Sequence, residues 1–584
     1  MKKIIFILLS CALMAACRKE EIIPIEKMDQ TFQYYLLENF DLNKDGQISR
    51  EEAARVNEIN VNGYLISSFD GLGNFPNLET LICANNSAIT TLDLMDAPNL
   101  KNLDCSFSWN LSSIDVSQNS KLKLLNCGYC VIQELDVSNN HELDTLYLKS
   151  HFNNILKSFK INPELKVLDI EGHGLAMLDF SGNQHLKELS CDGENLIYLD
   201  VSRSVLEVLN CRYHSKLTSV NLEGCTSLKK LFCKGSPNLV NCQSLEELEV
   251  YDFSYLDVSQ SPLLKTLYCR SAKLVELDLS HNPNLSDFTL LNSTIEKIDF
   301  GNNIQLVNFQ MDNSFIAENL ELSNRKTLKS VMINAPNNYS TAPFYEEINL
   351  SGCTSLENVI IIRAIDRSLD VTGCTALSLL NCSENRLTEL KLKGCLNLVS
   401  LDCSRNYSRF SELDVEDCSK LTELNCSNNY LTSLKLNNEN LSKINCMNNE
   451  IMEIDVKNLY KLKELNCSNN KLVSLDLSGC NALEVMSCNN NLINSLNIKD
   501  NKALKNLNCQ SNLLLSLGVS NSTGLTTLNC SRNNLQPSLD VSNNMALSSL
   551  DCRENKMLKE LLVKRNNTIQ TLQKDAETQI VFVD

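Results

Sequence analysis

The sequence is poor in the residues that interrupt regular structure, with 18 glycines and 10 prolines among 584 residues. Average usage would give about 7% glycine and about 5% proline, so collagen-like and glycine- or proline-rich disordered chains are excluded. Basic residues are in the minority, since 53 Lys and Arg stand against 71 Asp and Glu and leave a net charge of -18. This charge would repel phosphates, and we therefore expect no nucleic-acid partner.

Sequence motifs for catalysis are also missing. The sequence contains no P-loop, no HExxH and no G-x-S-x-G, and its six histidines are scattered. Such motifs are the usual sequence-level trace of a nucleophile, a base or a phosphate cradle. We therefore predict that the protein is not an enzyme and has no small-molecule substrate.

The first 17 residues have the pattern of an export signal. Two lysines precede an apolar run, Ile4 to Ala16, that is too short to span a bilayer. The segment Met14-Ala-Ala-Cys17 resembles the end of a bacterial lipoprotein signal, which implies removal of residues 1–16 and lipidation of Cys17. The next residues, Arg-Lys-Glu-Glu, resemble the tether of Bacteroidetes-type surface lipoproteins, here over residues 17–30. These resemblances imply an outer-membrane lipoprotein exposed at the cell surface; a plain cleaved secretory signal is the alternative.

Residues 41–52 carry the ligand spacing of a calcium loop, with a glycine at the sharp turn and an isoleucine at position 8. Ca²⁺ takes about seven oxygen ligands, and this spacing supplies them in EF-hands. The predicted ligands are Asp41, Asn43, Asp45, the Gln47 carbonyl, Ser49 and bidentate Glu52. Apolar residues at helical spacing on both sides predict a helix-loop-helix over residues 31–65. No second loop of this kind is found, so we expect a structural calcium site; a loop that merely joins two helices is the alternative.

Beyond residue 66 the sequence repeats. Residues 462–482 and 504–524 both fit L-x-x-L-x-C-x-x-N-x-L-x-x-L-x-[LV]-x-x-[CN]-x-x. The alternation of Leu465 and Cys467 predicts a short strand, Asn470 predicts a turn, and the later leucines predict an opposite wall. Since no single unit could fold alone, we expect stacked turns over residues 66–573, with a C-terminal cap over residues 574–584.

This pattern resembles leucine-rich repeats of the 21-residue IRREKO class, in which the second half of each unit echoes the first. The segment from Ile66 to Leu78 also resembles the first turn of internalin-like bacterial arrays. The resemblance implies a repeat solenoid with short parallel strands on both walls. It also implies a surface-anchored recognition scaffold for a protein partner. A structural envelope spacer without a specific ligand and a glycan-binding lipoprotein are the alternatives.

This repeat explains the 24 cysteines that follow Cys17, out of 26 in the chain. Sixteen lie in the inward strand position, and most others lie in the turn position of the second half: Cys225, Cys242, Cys353, Cys374, Cys395, Cys418 and Cys480. Buried cysteine behaves as a small hydrophobe, so we predict reduced core residues. The single CxxC, Cys127 to Cys130, coincides with a strand and a turn position and is therefore not expected to be a redox or metal site.

The candidate partner surface lies between residues 232 and 362. In most turns the outward residue beside the strand cysteine is polar, as at Asn466 and Asn508. In this stretch the spacing of the turns breaks, and apolar, aromatic and basic residues appear: Phe232, Tyr251, Tyr268, Arg270, Leu291, Met332, Ile360 and Ile362, with Tyr339, Phe344 and Tyr345 on an inserted loop. Exposed aromatic and Arg side chains are typical of protein-binding hot spots. A decayed repeat that packs its own apolar residues is the alternative.

An aspartate column recurs on the second-half strands. Its members are Asp93, Asp115, Asp136, Asp179, Asp200, Asp257, Asp278, Asp299, Asp370, Asp414, Asp455, Asp476 and Asp540. Such a column could attract a basic partner or cations. We favour the alternative that each aspartate accepts hydrogen bonds from the backbone of its own turn.

Overall fold

The computed structural model describes residues 21–584, apart from residues 151–154, 182, 213–215, 302, 319, 337–343, 408–409 and 437. Cys17, the predicted lipidation residue, and Tyr339 of the predicted partner surface lie outside the described residues. The chain divides into two compact units, Met1–Leu264 and Lys265–Asp584. Within the described ranges, no helix combines the length and the apolar character needed to cross a membrane.

The first unit begins with short helices: a 3₁₀ turn at Ile25–Lys27, α1 at Gln30–Phe40 and α2 at Arg50–Ala53, followed by a second 3₁₀ turn at Leu72–Asn74. The Asp29 carboxylate caps α1 by accepting the Phe32 amide at 3.1 Å, and it also accepts the Ser67 hydroxyl at 2.6 Å. Phe32 is fully buried, with its ring 5.4 Å from that of Phe69. A helical segment is therefore present and packs on the start of the repeats. The predicted second helix is shorter than expected, because it ends at Ala53 and Glu58–Asn60, within residues 31–65, forms a strand.

The repeats of the first unit build one wall of parallel strands, which we call the first wall. Its strands are Glu58–Asn60, Thr80–Ile82, Asn102–Asp104, Leu124–Asn126, Thr145–Tyr147, Val167–Asp169, Glu188–Ser190, Val208–Cys211, Lys230–Lys234 and Glu247–Tyr251. The predicted start of the array at residue 66 is one strand late. Ile59 is already buried, but its strand lies in no 21-residue unit, so the repeat pattern could not reveal it.

The second unit has a first wall of the same kind. Its strands are Thr266–Arg270, Asp287–Leu291, Asn308–Asp312, Ser330–Asn334, Asn358–Ile362, Leu379–Asn381, Ser400–Asp402, Glu423–Asn425, Lys443–Asn445, Glu464–Asn466, Val485–Ser487, Asn506–Asn508, Thr527–Asn529, Ser549–Asp551 and Thr571–Gln573. Each strand pairs in register with the strand of the next turn, about 4.8 Å away.

The second half of each turn contributes to an opposite second wall, which is a series of short sheets. In the first unit its strands are Thr91–Asp93, Ser113–Asp115, Glu134–Asp136, Ser158–Lys160, Met177–Asp179, Tyr198–Asp200 and Ser219–Asn221. In the second unit they are Lys273–Asp278, Thr294–Asp299, Phe315–Ile316, Leu320–Glu321, Tyr345–Asn349, Ile365–Asp370, Glu389–Lys391, Ser433–Leu434, Glu453–Ile454, Ser474–Asp476, Ser495–Asn497, Ser538–Asp540, Glu560–Lys564 and Gln579–Val583. Each unit is thus a parallel β-solenoid, which confirms the predicted repeat fold.

The core between the walls is filled as the repeat pattern predicts. Leu465 and Cys467 are buried, whereas Glu464 on the same strand is exposed. Every cysteine from Cys83 to Cys552 is buried, and none is joined in a disulfide within the described residues. Burial raises the pKa of most of these thiols, to about 12 for Cys446, whereas a hydrogen bond with Cys105 lowers the pKa of Cys130. The thiols whose pKa is raised are protonated at neutral pH and pack as small apolar side chains.

A buried asparagine after the first-wall strand links consecutive turns through both of its polar atoms. The Asn491 amide nitrogen donates to the Cys467 and Cys488 carbonyls, each at 3.0 Å. Its Oδ1 accepts the Leu472 amide at 3.0 Å. The same donor bonds recur at Asn406, Asn429, Asn449, Asn470, Asn512, Asn533 and Asn555. These side chains satisfy backbone groups that no strand partner reaches.

A second asparagine position, after the second-wall strand, uses only its donor in most of the described turns. Asn501 donates to the Cys480 carbonyl at 2.8 Å, and its Oδ1 accepts no hydrogen bond within the described residues. One turn earlier, Cys480 occupies this position and its thiol donates to the Val456 carbonyl at 3.1 Å. Because the position needs a donor and no acceptor, cysteine can replace asparagine there. This explains the second column of cysteines that the sequence shows.

Candidate functional site

The predicted calcium loop joins α1 to α2. The Asp41 carboxylate accepts the Lys44 amide at 2.7 Å and the Gly46 amide at 2.8 Å, which folds the loop around the first predicted ligand. Gly46 has a φ of 82°, a left-handed conformation that glycine adopts readily. At the end of the loop, Ser49 and Glu52 form a reciprocal capping box that starts α2.

The middle of the loop is a series of tight turns. Asn43 Oδ1 accepts the Asp45 amide at 2.9 Å, and Asp45 Oδ1 accepts the Gln47 amide at 2.9 Å. Each bond runs from a side-chain oxygen to the backbone two residues later, so it fixes where the side chain lies. The side chains of Asn43, Asp45 and Gln47 are exposed to solvent.

Glu52 closes the loop from the buried side, where it is 7% exposed. Its Oε1 accepts the Leu42 amide at 2.9 Å, and its Oε2 accepts the Ser49 amide and hydroxyl, each at 2.9 Å. Burial raises the pKa of Glu52, and hydrogen bonds from Ser49, Leu42 and Asn43 lower it further than burial raises it, so the pKa lies below its ordinary value of 4.5. Glu52 is therefore ionised at neutral pH.

The donor chemistry of this loop suits a hard cation, because every predicted ligand atom is an oxygen. Asp41, Asp45 and Glu52 do not form a three-carboxylate cluster, since no trio of His, Cys, Asp or Glu in the described part of the chain is arranged to hold a metal. The predicted ligand set depends as much on the Asn43 amide oxygen and the Ser49 hydroxyl. The residues present fit calcium in type and order.

The N-terminal segment pairs with the end of the predicted calcium loop. Ile22 forms an antiparallel bridge with Ser49, and the Ile23 amide donates to the Ile48 carbonyl at 2.9 Å. The Ile48 side chain is fully buried. Residues 22–23 therefore support one side of the loop. Sequence spacing alone could not show this, because residues 22–23 carry no ligand pattern.

In the second unit, the predicted partner-surface residues fall in two rows across the first wall. One row is Tyr268, Thr289, Gln310, Met332 and Ile360, and the next is Arg270, Leu291, Asp312, Asn334 and Ile362. Met332 is 36% exposed and adjoins half-buried Ile360. Arg270 is exposed, and Tyr268 is half-buried. The structure therefore brings Met332 and Ile360 together and separates them from Tyr268 by two polar residues.

This part of the first wall is also wider than the rest of the second unit. Strands from Thr266–Arg270 to Asn358–Ile362 have five residues, whereas those from Leu379–Asn381 to Ser549–Asp551 have three. The longer strands expose a second outward row that is absent from the shorter ones. The change in composition seen in the sequence thus coincides with a change in strand length.

In the first unit, Phe232 and Tyr251 lie in different rows, because Phe232 pairs with Glu249 and Tyr251 pairs with Lys234. The Arg212 guanidinium covers the Phe232 ring at 4.3 Å and forms an ion pair with Glu249 at 2.6 Å. Phe232 therefore presents only part of its ring to solvent.

The prediction for Tyr345 is wrong. It begins the second-wall strand Tyr345–Asn349 and is 4% exposed, with its hydroxyl accepting the Ile316 amide at 3.0 Å. Phe344 is half-buried beneath the Arg386 guanidinium, 3.9 Å from its ring centre. The long insertion before these residues hides the register of the turn, so the sequence pattern predicts a loop where the wall strand begins.

The second-wall aspartates behave as turn residues. Each of the thirteen accepts the backbone amide two positions later, as Asp93 does from Met95 at 2.9 Å and Asp476 does from Ser478 at 2.9 Å. The favoured alternative is therefore confirmed for this column. The cysteines of the CxxC also have a structural role, since the Cys130 thiol donates to the Cys105 carbonyl at 3.3 Å and both Cys127 and Cys130 are buried.

Sequence reasoning missed an aromatic cluster in the first unit, formed by Phe107, Trp109 and Tyr129. Phe107 and Tyr129 stack at 4.4 Å, and Trp109 lies 6.1 Å from Phe107 and 6.3 Å from Tyr129. Phe107 is 37% exposed and Trp109 is 41% exposed. Aligning successive turns would have revealed it, because these positions hold small or polar residues in most other turns.

No family model matches the chain, and no curated protein matches it. Among solved structures it is similar to YopM from Yersinia enterocolitica, at 23% identity over 79% of this chain and 88% of that chain, with a TM-score of 0.45. It is similar to the functional domain of InlJ from Listeria monocytogenes, which includes a cysteine ladder, at 21% identity over 92% and 81%, with a TM-score of 0.25. A leucine-rich repeat protein from Leptospira interrogans is similar at 18% identity over 84% and 93%, with a TM-score of 0.29. These TM-scores are low, so the fold is shown by the strand ladder of this chain itself.

Proposed function

We propose that this protein is a leucine-rich repeat recognition scaffold that binds a protein partner on the wide part of the first wall in the second unit. The observation that carries the proposal is the two outward rows on the five-residue strands, where Met332 and Ile360 occupy the column that holds Asn381 on the next strand and Ile362 adds an apolar side chain to the second row. Apolar side chains surrounded by polar neighbours are the usual composition of a protein interface.

The binding energy that single side chains typically contribute favours this surface over the polar rows. Truncating a buried interface anchor typically costs about 2 kcal/mol or more of binding energy, whereas removing a solvated amide costs little. Met332 and Tyr268 are available as such anchors because neither is fully buried in the solenoid. Arg270 at the edge would add an exposed cation against the overall negative charge of the chain.

A pull-down with residues 18–584 tests the proposal. A Tyr268→Ala, Met332→Ala double variant is expected to lose the captured protein while keeping its melting temperature. The matched control, Asn466→Ala with Asn508→Ala, changes the same outward column on three-residue strands and is expected to keep the partner. If the Tyr268→Ala, Met332→Ala variant captures the partner undiminished, the partner binds elsewhere. A large fall in its melting temperature would show that these side chains belong to the core.

We propose in addition that the loop from Asp41 to Glu52 holds one structural calcium ion. The side chains of Asp41, Asn43, Asp45, Ser49 and Glu52 and the Gln47 carbonyl would be its ligands. A bound cation would connect these oxygens and tie α1 to α2. Typical extracellular calcium would keep a site of about 10⁻⁴ to 10⁻³ M affinity filled, which favours a structural role over a sensing one.

We also propose that Cys17 carries a lipid that anchors the protein to the outer membrane, with the repeats at the cell surface. The proposal rests on the sequence pattern of residues 1–21 alone. Mass spectrometry of the mature N-terminus identifies the modification, and Cys17→Ala is expected to release the protein from the membrane fraction. A Cys17→Ala protein that still sediments with membranes would refute the anchor.

A further inference from the structure

The aromatic cluster of Phe107, Trp109 and Tyr129 lies at one edge of the first wall in the first unit. The Phe107 amide donates to the Gly128 carbonyl at 2.8 Å, so Phe107 and Tyr129 occupy the same position of consecutive turns. Their rings stack at 19°, and Trp109 stands at 65° to Phe107. The three rings form a corner rather than a flat surface.

The position held by Phe107 and Tyr129 has a left-handed backbone, with φ of 57° and 60°. Bulky side chains adopt this conformation rarely, whereas asparagine tolerates it well. Most other described turns place a polar residue at this position, either asparagine (Asn85, Asn292, Asn313, Asn428, Asn448, Asn469 and Asn490) or a charged residue or serine (Asp252, Ser271, Arg363, Glu384, Arg405, Ser511, Arg532 and Glu554). Phe107 and Tyr129 are therefore aromatic exceptions at a position that is otherwise polar.

Carboxylates lie along the same wall, on the turn of Phe107 and on the turns that follow Tyr129. The outward row of the first wall runs from Asp104 through Asn126 and Tyr147 to Asp169, and Tyr147 is 37% exposed. Glu171 follows Asp169 and pairs with Lys149, the single basic residue within this group. Asp192 follows one turn later. The group therefore has more negative than positive charge.

The protonation of Asp169 reflects this excess. Burial and the nearby Glu171 carboxylate raise the pKa of Asp169 to about 6, and Lys149 only partly opposes them. A cation bound beside Asp169 and Glu171 would relieve that repulsion. Aromatic ring faces are themselves attractive to cations, most of all the face of tryptophan. Rings and carboxylates thus favour the same kind of ligand.

We propose that Phe107, Trp109 and Tyr129, with Tyr147, Asp169 and Glu171, bind an arginine-bearing segment of a protein partner. A guanidinium group is planar, stacks on aromatic rings and pairs with carboxylates through two parallel hydrogen bonds. One arginine would stack in the corner, and a second would face the carboxylates about 10 Å away, two turns along the wall. This inference rests on the proposed recognition function and adds the chemistry of the ligand.

Trp109 is the single tryptophan of the chain, so its fluorescence reports on this corner alone. The probe is the peptide Gly-Arg-Gly-Arg-Gly-Arg, and its control contains citrulline, which is neutral and nearly the same shape as arginine. The arginine peptide is expected to change Trp109 fluorescence saturably and to bind at least tenfold more tightly than the citrulline peptide. Raising the salt concentration should weaken the binding of the arginine peptide, because salt screens charge interactions. Equal binding of both peptides, or a response to cellohexaose instead, would overturn the proposal.

The variant Phe107→Asn with Tyr129→Asn separates binding from packing. It is expected to lose arginine-peptide binding by calorimetry while its melting temperature stays equal or rises, because asparagine suits the left-handed position. A clear fall in melting temperature would show that the rings serve the core, which overturns the proposal. If the wild-type protein ignores the arginine peptide but still captures its partner through Tyr268 and Met332, this inference fails and the proposed function stands.

Discussion

Asn470 Oδ1 accepts a hydrogen bond from the Ile451 amide at 3.0 Å, which joins two consecutive turns of the second unit. Asn501, which lies one turn later and follows a second-wall strand, uses its amide nitrogen only. The two asparagine positions therefore differ in their chemical demand, although both are buried. One needs a donor and an acceptor, and the other needs only a donor.

The matched variants Asn491→Cys and Asn501→Cys test this difference. Asn491→Cys removes the acceptor of the Leu472 amide and leaves one weak thiol donor for two carbonyls, so it should lower the free energy of unfolding by at least about 2 kcal/mol. Asn501→Cys keeps a donor of the kind that Cys480 already supplies, so its cost should be within about 1 kcal/mol. Chemical denaturation of both variants measures the gap. Equal costs would show that volume, and not hydrogen bonding, decides the residue.

Glu52→Gln should weaken calcium binding by about tenfold or more, equivalent to about 1.4 kcal/mol, because a carboxylate that could bind through both oxygens is lost. Isothermal titration calorimetry measures the change. Glu51→Gln is the matched control, because Glu51 is adjacent, exposed and outside the ligand pattern. If the wild-type protein shows no heat of calcium binding at millimolar calcium, the loop only connects the two helices.

Acid should destabilise the calcium-free protein through the same residue. The pKa of Glu52 is lowered from 4.5 in the folded state, so the ionised group stabilises the fold above about pH 4.5. This contribution disappears as the pH falls through the lower folded-state pKa. Melting curves in chelator should therefore show a wild-type advantage over Glu52→Gln at pH 7 that shrinks below pH 4.5. An advantage that stays constant down to pH 3 would exclude the carboxylate as its source.

Tyr345→Phe should lower the free energy of unfolding by about 1 to 3 kcal/mol, because it leaves the buried Ile316 amide without its acceptor. Tyr407→Phe, at a position 63% exposed, is the control and should be nearly neutral. Denaturant midpoints of the two variants measure the difference in their free energies of unfolding. A neutral Tyr345→Phe would mean that the hydroxyl is not an essential partner of the wall.

The sequence predicts this fold well because one short pattern repeats the same physical demands. Leu465 and Cys467 both point inward because residues i and i+2 of a strand lie on the same face of the sheet. The same alternation recurs in each successive turn. Asp476 could be assigned to its turn because a short carboxylate reaches the amide two residues later.

The sequence predicts the candidate sites less completely, because they lie where the repeat changes. Tyr345 follows an insertion, and without a register its inward orientation could not be inferred. Phe107 and Tyr129 lie 22 residues apart and become neighbours only when turns are stacked. Ile22 and Ser49 are joined by tertiary pairing that no local pattern specifies.

The bridge between Ile22 and Ser49 also determines how mechanical load would enter the molecule. A pull on the N-terminus reaches the Ile22–Ser49 bridge and the hydrogen bond from Ile23 to Ile48 before it reaches α1 or any repeat. These few contacts bear the tension first. Their rupture would lengthen the extended N-terminal segment by only a few residues, each at most about 3.6 Å long. The stacked turns would then remain intact at forces that already detach the first residues of the chain.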